Sequence, residues 1–493
     1  MWLFARLHPA TALALAIIGG YLLLPGNVGF NLPALPTINK ASLPALGAWA
    51  AAAMFVQTRP SLPNRLQSVL PGMVPRSRVA LILIVLMLAG VLGTVATNGD
   101  AVHYPAKRLP GLRLYDVGSL GLNAFMMLLP FLLARKYLAA PETHSRLLVV
   151  LAISGLIYSL LALYEVRMSP QLSSKIYGYF PHSWRQHIRA GGYRPVVFLS
   201  HGLWLAIFFC GSFLATLSLW RMTQGAQRIR WMIAAAWLAM VLVLSKGLGA
   251  LAIGIMLATV IVFLPVRLRI MTAAIFAGII LFYPMLRGAD MIPTERVLNF
   301  AANIDTVRAG SLEFRFDNED ILLAKANQRP LFGWGGWGRN RVFDETGADI
   351  SVTDGYWVMA IGTGGWIGYL AQLGLLTLPL IFLALRWRGL ELTPATAGVA
   401  LALTANLIDL IPNATLTPVT WLMAGALAGR LEMGRIVAPA AQADAVAVSL
   451  RREPNPYTRQ PQRHPTRSPR HPVQARSANL SAAPPAPSSS RPT

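Results

Sequence analysis

The chain has 493 residues, 55% of them hydrophobic and only 13% charged, with a mean hydropathy of +0.51 and a formal net charge of +23. These values exclude a soluble globular domain and place the sequence among polytopic membrane proteins. The single cysteine, Cys210, lies inside an apolar run, which excludes an intrachain disulfide and a cysteine-rich metal site.

Apolar runs long enough to cross roughly 30 Å of hydrocarbon as helices recur from end to end. They predict an all-α fold of twelve spans, at about 9–24, 41–57, 79–96, 117–134, 147–165, 196–219, 231–244, 247–264, 270–285, 356–385, 396–411 and 416–432. Arg6 precedes the first run as in a signal peptide, but "LLLPGNVGF" offers no small-x-small cleavage site, so the run is read as a retained span.

Lysines and arginines beside the spans set the orientation, because positive loops stay in the cytoplasm. With the N-terminus cytoplasmic, the inner loops carry Arg59, Arg65, Arg76 and Arg78, then Arg135, Lys136 and Arg146, then Arg221, Arg228 and Arg230, then Arg267 and Arg269, then Arg386 and Arg388. The C-terminus is then cytoplasmic too. The membrane domain covers residues 1–435, and the Pro/Arg/Ser-rich segment 436–493 has too little apolar surface to fold and is expected to be a disordered tail. Its arginines either touch anionic lipid headgroups or remain solvated.

Two long outer segments interrupt this pattern, at 166–195 and 287–355. The first carries Arg167, Lys175, Arg185, Arg189 and Arg194 and no acid, against the charge bias of an outer loop. Such a loop suits an anionic ligand at the membrane surface, or else pairs with lipid phosphates and with the acids of the second segment. His201 follows inside an apolar run, either as a packed, hydrogen-bonded span residue or as part of the site. Lys246, in "VLSKGLGAL", lies between two spans with almost no loop around it, where a lysine either snorkels to the interface or holds a ligand.

The second segment contains eleven of the chain's twenty acidic residues. Within it "SLEFRFDNEDILLAKANQ" predicts an amphipathic helix opened by Ser311 as N-cap, with Leu312, Phe316 and Leu323 on one face, ending before Pro330. "LFGWGGWGRN" follows. Its glycines permit tight turns near a ligand, and Trp334 and Trp337 either stack on sugar rings or belong to the interfacial aromatic belt.

Three stretches taken together resemble the superfamily of O-antigen ligases and Wzy-type polysaccharide polymerases of bacterial inner membranes. They are "RAGGYRPVVFLSHGLWLA", "LSKGLGAL" and "RFDNEDILLAKANQRPLFGWGGWGRN", in an order and on a side of the membrane like the family's, over roughly 189–376. The resemblance implies a GT-C-like architecture with a large periplasmic loop carrying short helices. It also implies transfer of an undecaprenyl-pyrophosphate-linked oligosaccharide to a sugar hydroxyl. By position, Lys246 and Arg315 correspond to the family's pyrophosphate-binding basic residues, with Arg189 and Arg194 as a secondary basic wall. Where ligases of the family carry a histidine, this chain has Asp354 in "SVTDGYWVM", which favours a polymerase of exopolysaccharide, capsule or O-antigen repeats over a ligase acting on lipid A-core. Expected partners are membrane lipids and the flippase and chain-length regulator of the same pathway.

The chemistry is consistent without the family. Breaking an anomeric bond to pyrophosphate develops negative charge, which fixed cations stabilise without a metal; arginine offers a bidentate fork and lysine a point charge. The acceptor hydroxyl needs a general base, for which Asp354 and Glu313 are the candidates. No metal-ligand spacing and no nucleotide-binding phosphate loop is present in the sequence, so no cofactor, nucleotide or nucleic acid is expected. A lipid-linked oligosaccharide transporter or flippase is the rival class. Such proteins usually carry ionisable residues near mid-span, whereas here Asp409, near the outer end of its span, is the main one.

Overall fold

The computed structural model describes residues 1–434 except 27, 31–35, 56–68, 190, 290 and 305; the predicted tail at 436–493, Arg59 and Arg65 lie outside the described residues. The protein is mostly helical, in fourteen principal helices among the described residues. These are α1 (Pro9–Leu23), α2 (Leu43–Phe55), α3 (Arg78–Thr97), α4 (Leu114–Tyr137), α5 (Pro141–Met168), α6 (Gly202–Met222), α7 (Gly225–Leu244), α8 (Leu248–Phe263), α9 (Val266–Gly288), α10 (Thr294–Ile304), α11 (Thr306–Ala326), α12 (Tyr356–Leu385), α13 (Pro394–Asp409) and α14 (Pro418–Met433). Strands occur, among the described residues, only as three short antiparallel hairpins, β1–β2 (Gly29–Phe30 with Ile38–Asn39), β3–β4 (Val102–Tyr104 with Lys107–Leu109) and β5–β6 (Ile188–Arg189 with Gly192–Tyr193).

Helices occupy each of the twelve predicted segments. Seven of them, α3 to α7, α9 and α12, are long and apolar enough to cross a membrane. The others are shorter, and α13 and α14 have 16 residues each and are buried along most of their length. Local sequence opens several of these helices. Proline stands at the first turn of α1, α5, α13 and α14, where its missing N–H costs nothing. Side chains cap the exposed amides: Thr393 accepts from the Thr396 N–H at 3.2 Å and Ser77 from the Ala80 N–H at 3.4 Å.

At the centre stands α6, surrounded by α5, α7, α8 and α13. Between apolar helices in lipid the stabilisation comes from close packing and interhelical hydrogen bonds rather than from water release, at roughly 0.6 kcal/mol per bond. Both devices are present. Tyr158 of α5 donates to the Leu22 carbonyl of α1 at 2.9 Å, and Tyr369 of α12 to the Ile280 carbonyl of α9 at 2.9 Å. On α14, Gly425 and Gly429 form a G-x-x-x-G stripe against α4, where a Cβ would stand 2.2 Å from the Phe131 carbonyl oxygen and 2.5 Å from that of Arg135.

The alternation of helices sorts the connections into two ends. At one end the buried Arg135 guanidinium is tied to Glu432, whose other oxygen accepts from the Arg76 N–H at 3.1 Å. At the other end the hairpins, the 169–201 segment, the α7–α8 turn and the α9–α12 connection meet. We call this the loop end.

One helix is broken there. In α12, Gly365 has φ +64° and ψ −169°, which interrupts the ladder inside "GTGGW". The chain from Pro330 to Gly335 runs beside the break and takes over its hydrogen bonds. Trp334 and Gly335 donate to the Gly362 and Thr363 carbonyls at 2.8 and 2.9 Å, and Trp366 donates to the Pro330 carbonyl at 2.8 Å. Irregular backbone at this depth is tolerated because it is buried in protein and satisfied there.

Two predicted boundaries change. The span predicted from 196 begins only at Gly202, because residues 196–200 form a turn, with the Leu199 N–H donating to the Val196 carbonyl at 3.1 Å, and are bonded to side chains of other elements. The helix predicted to open at Ser311 begins at Thr306, so Ser311 is not its cap. The predicted face of Leu312, Phe316 and Leu323 is half-buried. The stripe that turns inward is Arg315, Glu319, Leu322 and Ala326, at spacings of four, three and four.

Candidate functional site

Two clusters of the predicted residues form at the loop end. The first is built on the segment between the β5–β6 hairpin and α6. Glu165, the buried last acid of α5, accepts from the backbone N–H groups of Leu172 at 2.9 Å, Val196 at 2.8 Å and Val197 at 2.7 Å. These bonds hold Val197 at φ +56°, a strained conformation for a β-branched residue. Tyr158 accepts from the Phe198 N–H at 3.1 Å, and the buried Lys40 ammonium donates to the Phe198 carbonyl at 2.8 Å. Burial pushes the Lys40 ammonium down to about 7.

This framework fixes Arg194, which is buried and whose Nη2 donates to the Lys246 carbonyl at 2.9 Å. Lys246 itself has φ +55°, and a Cβ at Gly192 would stand 2.6 Å from its Nζ. The absence of a side chain at Gly192 is what lets the lysine reach the hairpin. Arg189 belongs to the same hairpin through β5; its side chain lies outside the described residues. His201 is not a residue inside a span. It caps α6, its Nδ1 accepting from the Leu203 N–H at 3.1 Å, and its ring packs 4.7 Å from that of His182 and 4.9 Å from that of His187.

The second cluster lies where α11 meets the head of α12. Arg315 is half-buried, with Nε 3.5 Å from Asp354 Oδ2 and Nη1 donating to the Pro412 carbonyl at 3.3 Å. Burial pushes the Asp354 carboxyl up from its ordinary value, and the Arg315 charge opposes that rise. One turn along α11, Glu319 is 5% exposed and accepts from Trp357 Nε1 at 3.2 Å, while its Oε2 has no partner among the described residues. Burial pushes its carboxyl up to about 7, against the Trp357 bond and the Arg287 charge. Glu313, the predicted alternative base, is exposed and off the Arg315–Glu319 face, two positions from Arg315 where a helix turns by about 200°.

The two tryptophans separate. Trp334 is buried beneath two cations, with Lys325 Nζ 3.7 Å and the Arg329 guanidinium 4.5 Å from its ring, and its Nε1 donates to the Lys325 carbonyl at 2.7 Å. It is a structural post for the 330–335 segment and unavailable for stacking on a sugar. Trp337 is 59% exposed. Among the described residues, the acids of the second segment pair with its own arginines, as Arg287–Asp320, Arg315–Asp354 and Arg341–Asp349, and Arg329 pairs with Asp100. Ion pairing between the two long segments does not appear among these described pairs.

A cavity of about 300 Å³ lies at the loop end; none of Arg194, Lys246, Arg315 and Asp354 lines it. Trp204, one turn into α6 from His201, and Tyr356, two residues after Asp354, do line it. Glu165, Tyr158, Lys40 and Glu319 escaped the sequence reading. Glu165 was legible as an acid at the end of an apolar span. Compared with known proteins, the chain matches no family model and no curated protein sequence.

Proposed function

We propose that this protein is a polysaccharide polymerase of the O-antigen ligase and Wzy-type superfamily, with twelve spans, a GT-C-like architecture and both termini cytoplasmic, in a bacterial inner membrane. It transfers an oligosaccharide from undecaprenyl pyrophosphate to a sugar hydroxyl at the periplasmic face. The observation that carries this reading is the pair of cation clusters, Arg194 with Lys246 and Arg315 with Asp354, at the same end of a helical bundle, where a cavity lined by Trp204 and Tyr356 also lies.

The acceptor hydroxyl oxygen attacks the anomeric carbon, and the bond from that carbon to the pyrophosphate oxygen breaks. The electron pair leaves with the pyrophosphate, whose growing charge the Arg315 fork and the Lys246 ammonium stabilise. The hydroxyl proton passes to Asp354, whose carboxyl, raised by burial, is a stronger base than an ordinary aspartate. Glu313, exposed on α11, is set aside as the base.

Arg315→Ala and Lys246→Ala should each abolish polymer formation in cells, with the variant protein still present in the membrane fraction. Arg315→Lys should also be impaired, because the bidentate fork is lost. Wild-type polymer from both alanine variants would refute the assignment.

A further inference from the structure

The reading above leaves unassigned what the cavity at the loop end recognises. A second chamber of about 250 Å³ lies between α3, α4 and α12, under the Gly335–Gly336 turn and beside the broken stretch of α12. Asn123 and Met127 of α4 line both chambers. Tyr356, on the wall of the first, donates its hydroxyl to Gln372 Oε1 on the wall of the second. The two chambers therefore adjoin, with Asn123, Met127 and the Tyr356–Gln372 pair as their common wall.

Its lining has a definite chemistry. Among the described residues no Lys, Arg, His, Asp or Glu lines either chamber. The polar groups are neutral amides and hydroxyls, Asn123, Gln372 and Thr363 among them, beside the rings of Trp204, Trp421 and Tyr356. Two of these groups have unmet bonding capacity. Asn123 lies in the half of α4 nearer the loop end, is exposed to the space, and its amide has no hydrogen-bond partner among the described residues. Trp421 is 2% exposed, and its Nε1 is likewise without a partner among them but is closed off from the chamber itself. An amide left bare between membrane helices is costly unless something polar meets it.

We propose that the adjoining chambers hold an uncharged saccharide, so that the sugars nearest the reacting bond are neutral hexoses or N-acetylhexosamines rather than uronic acids. This inference rests on the transferase reading and narrows its substrate class. Sugar hydroxyls both donate and accept, as do the amides of Asn123 and Gln372, and the aromatic rings give apolar faces to the sugar's C–H surface. A uronic carboxylate would enter a space without a cation and lose its hydration there.

The test uses the full chain in nanodiscs and three probes: farnesyl pyrophosphate, the same lipid carrying N-acetylglucosamine, and the same lipid carrying glucuronic acid. The wild-type protein should bind the N-acetylglucosamine probe about tenfold or more tighter than the glucuronic acid probe, the scale on which a polar site rejects a mismatched group. Asn123→Asp and Gln372→Glu should weaken the N-acetylglucosamine probe to the level of the sugar-free lipid and leave the sugar-free lipid unchanged. Equal or tighter binding of the glucuronic acid probe to the wild type overturns the inference without recourse to any variant. So does an equal loss for the sugar-free lipid in those variants, which would mean that the space holds the isoprenoid chain. Arg315→Ala separates the two levels: unchanged affinity for farnesyl pyrophosphate would remove the pyrophosphate reading itself, and the saccharide inference with it.

Discussion

Asp354 stands at the head of α12 with its carboxylate facing Arg315 at 3.5 Å. Its carboxyl is pushed up by burial, so the ionised form needed to accept a proton is lost as pH falls through that raised value. The wild-type transfer rate should therefore show an acid limb. Asp354→Asn should lower single-turnover transfer by roughly 10²- to 10⁴-fold and erase that limb while donor affinity is retained; a parallel loss of donor affinity would make the residue an orienter of Arg315 instead. Glu319 gives a stability signature. Its folded-state carboxyl at about 7 lies above the ordinary glutamate value, so the folded protein holds a proton the unfolded chain has released. That contribution is present below the ordinary glutamate range and is lost as pH rises through about 7. The loss amounts to about 3 kcal/mol between pH 4.5 and 8. Glu319→Gln should flatten the fall of the apparent melting temperature between pH 5 and pH 8 in detergent; an unchanged slope would mean that the carboxylate is hydrated. Lys246 was conspicuous as a charge between two apolar runs, whereas Arg315 and Asp354 were singled out through the family resemblance. Glu319 was not legible, since Asp317 and Asp320 around it are exposed and make the stretch look like a solvated face.

At the scale of elements, sequence periodicity locates the helices and loses the places where tertiary bonds override it. Residues 196–200 are apolar enough to extend a span, yet Glu165 and Tyr158 capture the N–H groups of Val196, Val197 and Phe198 and hold the segment as a non-helical turn. The break in α12 is similar, because "GTGGW" within a long apolar run reads as a continuous helix until a second segment is there to accept its bonds. That pairing makes a sharp prediction. A Cβ at Gly365 would stand 2.3 Å from the Leu331 carbonyl atoms on a residue at φ +64°, whereas one at Gly364 meets nothing within 4 Å. Gly365→Ala should destabilise the purified protein by about 3 kcal/mol or more, through strain and displacement of the 330–335 segment. Gly364→Ala should melt within a few degrees of wild type. Equal melting of the two would mean that the break is not held as a fixed element.

At the scale of the whole molecule, the basic loops that orient the chain and the clusters that form the candidate site lie at opposite ends of the bundle, and this division follows from short connections between antiparallel helices. The Arg135–Glu432 tie and the Arg76 contact lie at one end, and the Arg194–Lys246 and Arg315–Asp354 clusters at the other. In the proposed topology the positive-inside rule puts the first end in the cytoplasm. The candidate site is spread over distant segments of the sequence because each connection at the loop end contributes one or two polar groups, and only helix packing brings these connections to one end. Four helices, α6 to α9, separate the two long segments, and of these only α8 is too short to count among the seven long apolar helices, so α8 decides whether the two segments share a side. Fusions of a reporter active only in the periplasm, inserted after Pro181 and after Gly347, should both be active. The same reporter after Gly389, in the turn between α12 and α13, should be silent. Opposite behaviour at Pro181 and Gly347 would mean that α8 does not cross, and the two cation clusters could not then serve one donor; activity at Gly389 would mean that α12 does not cross.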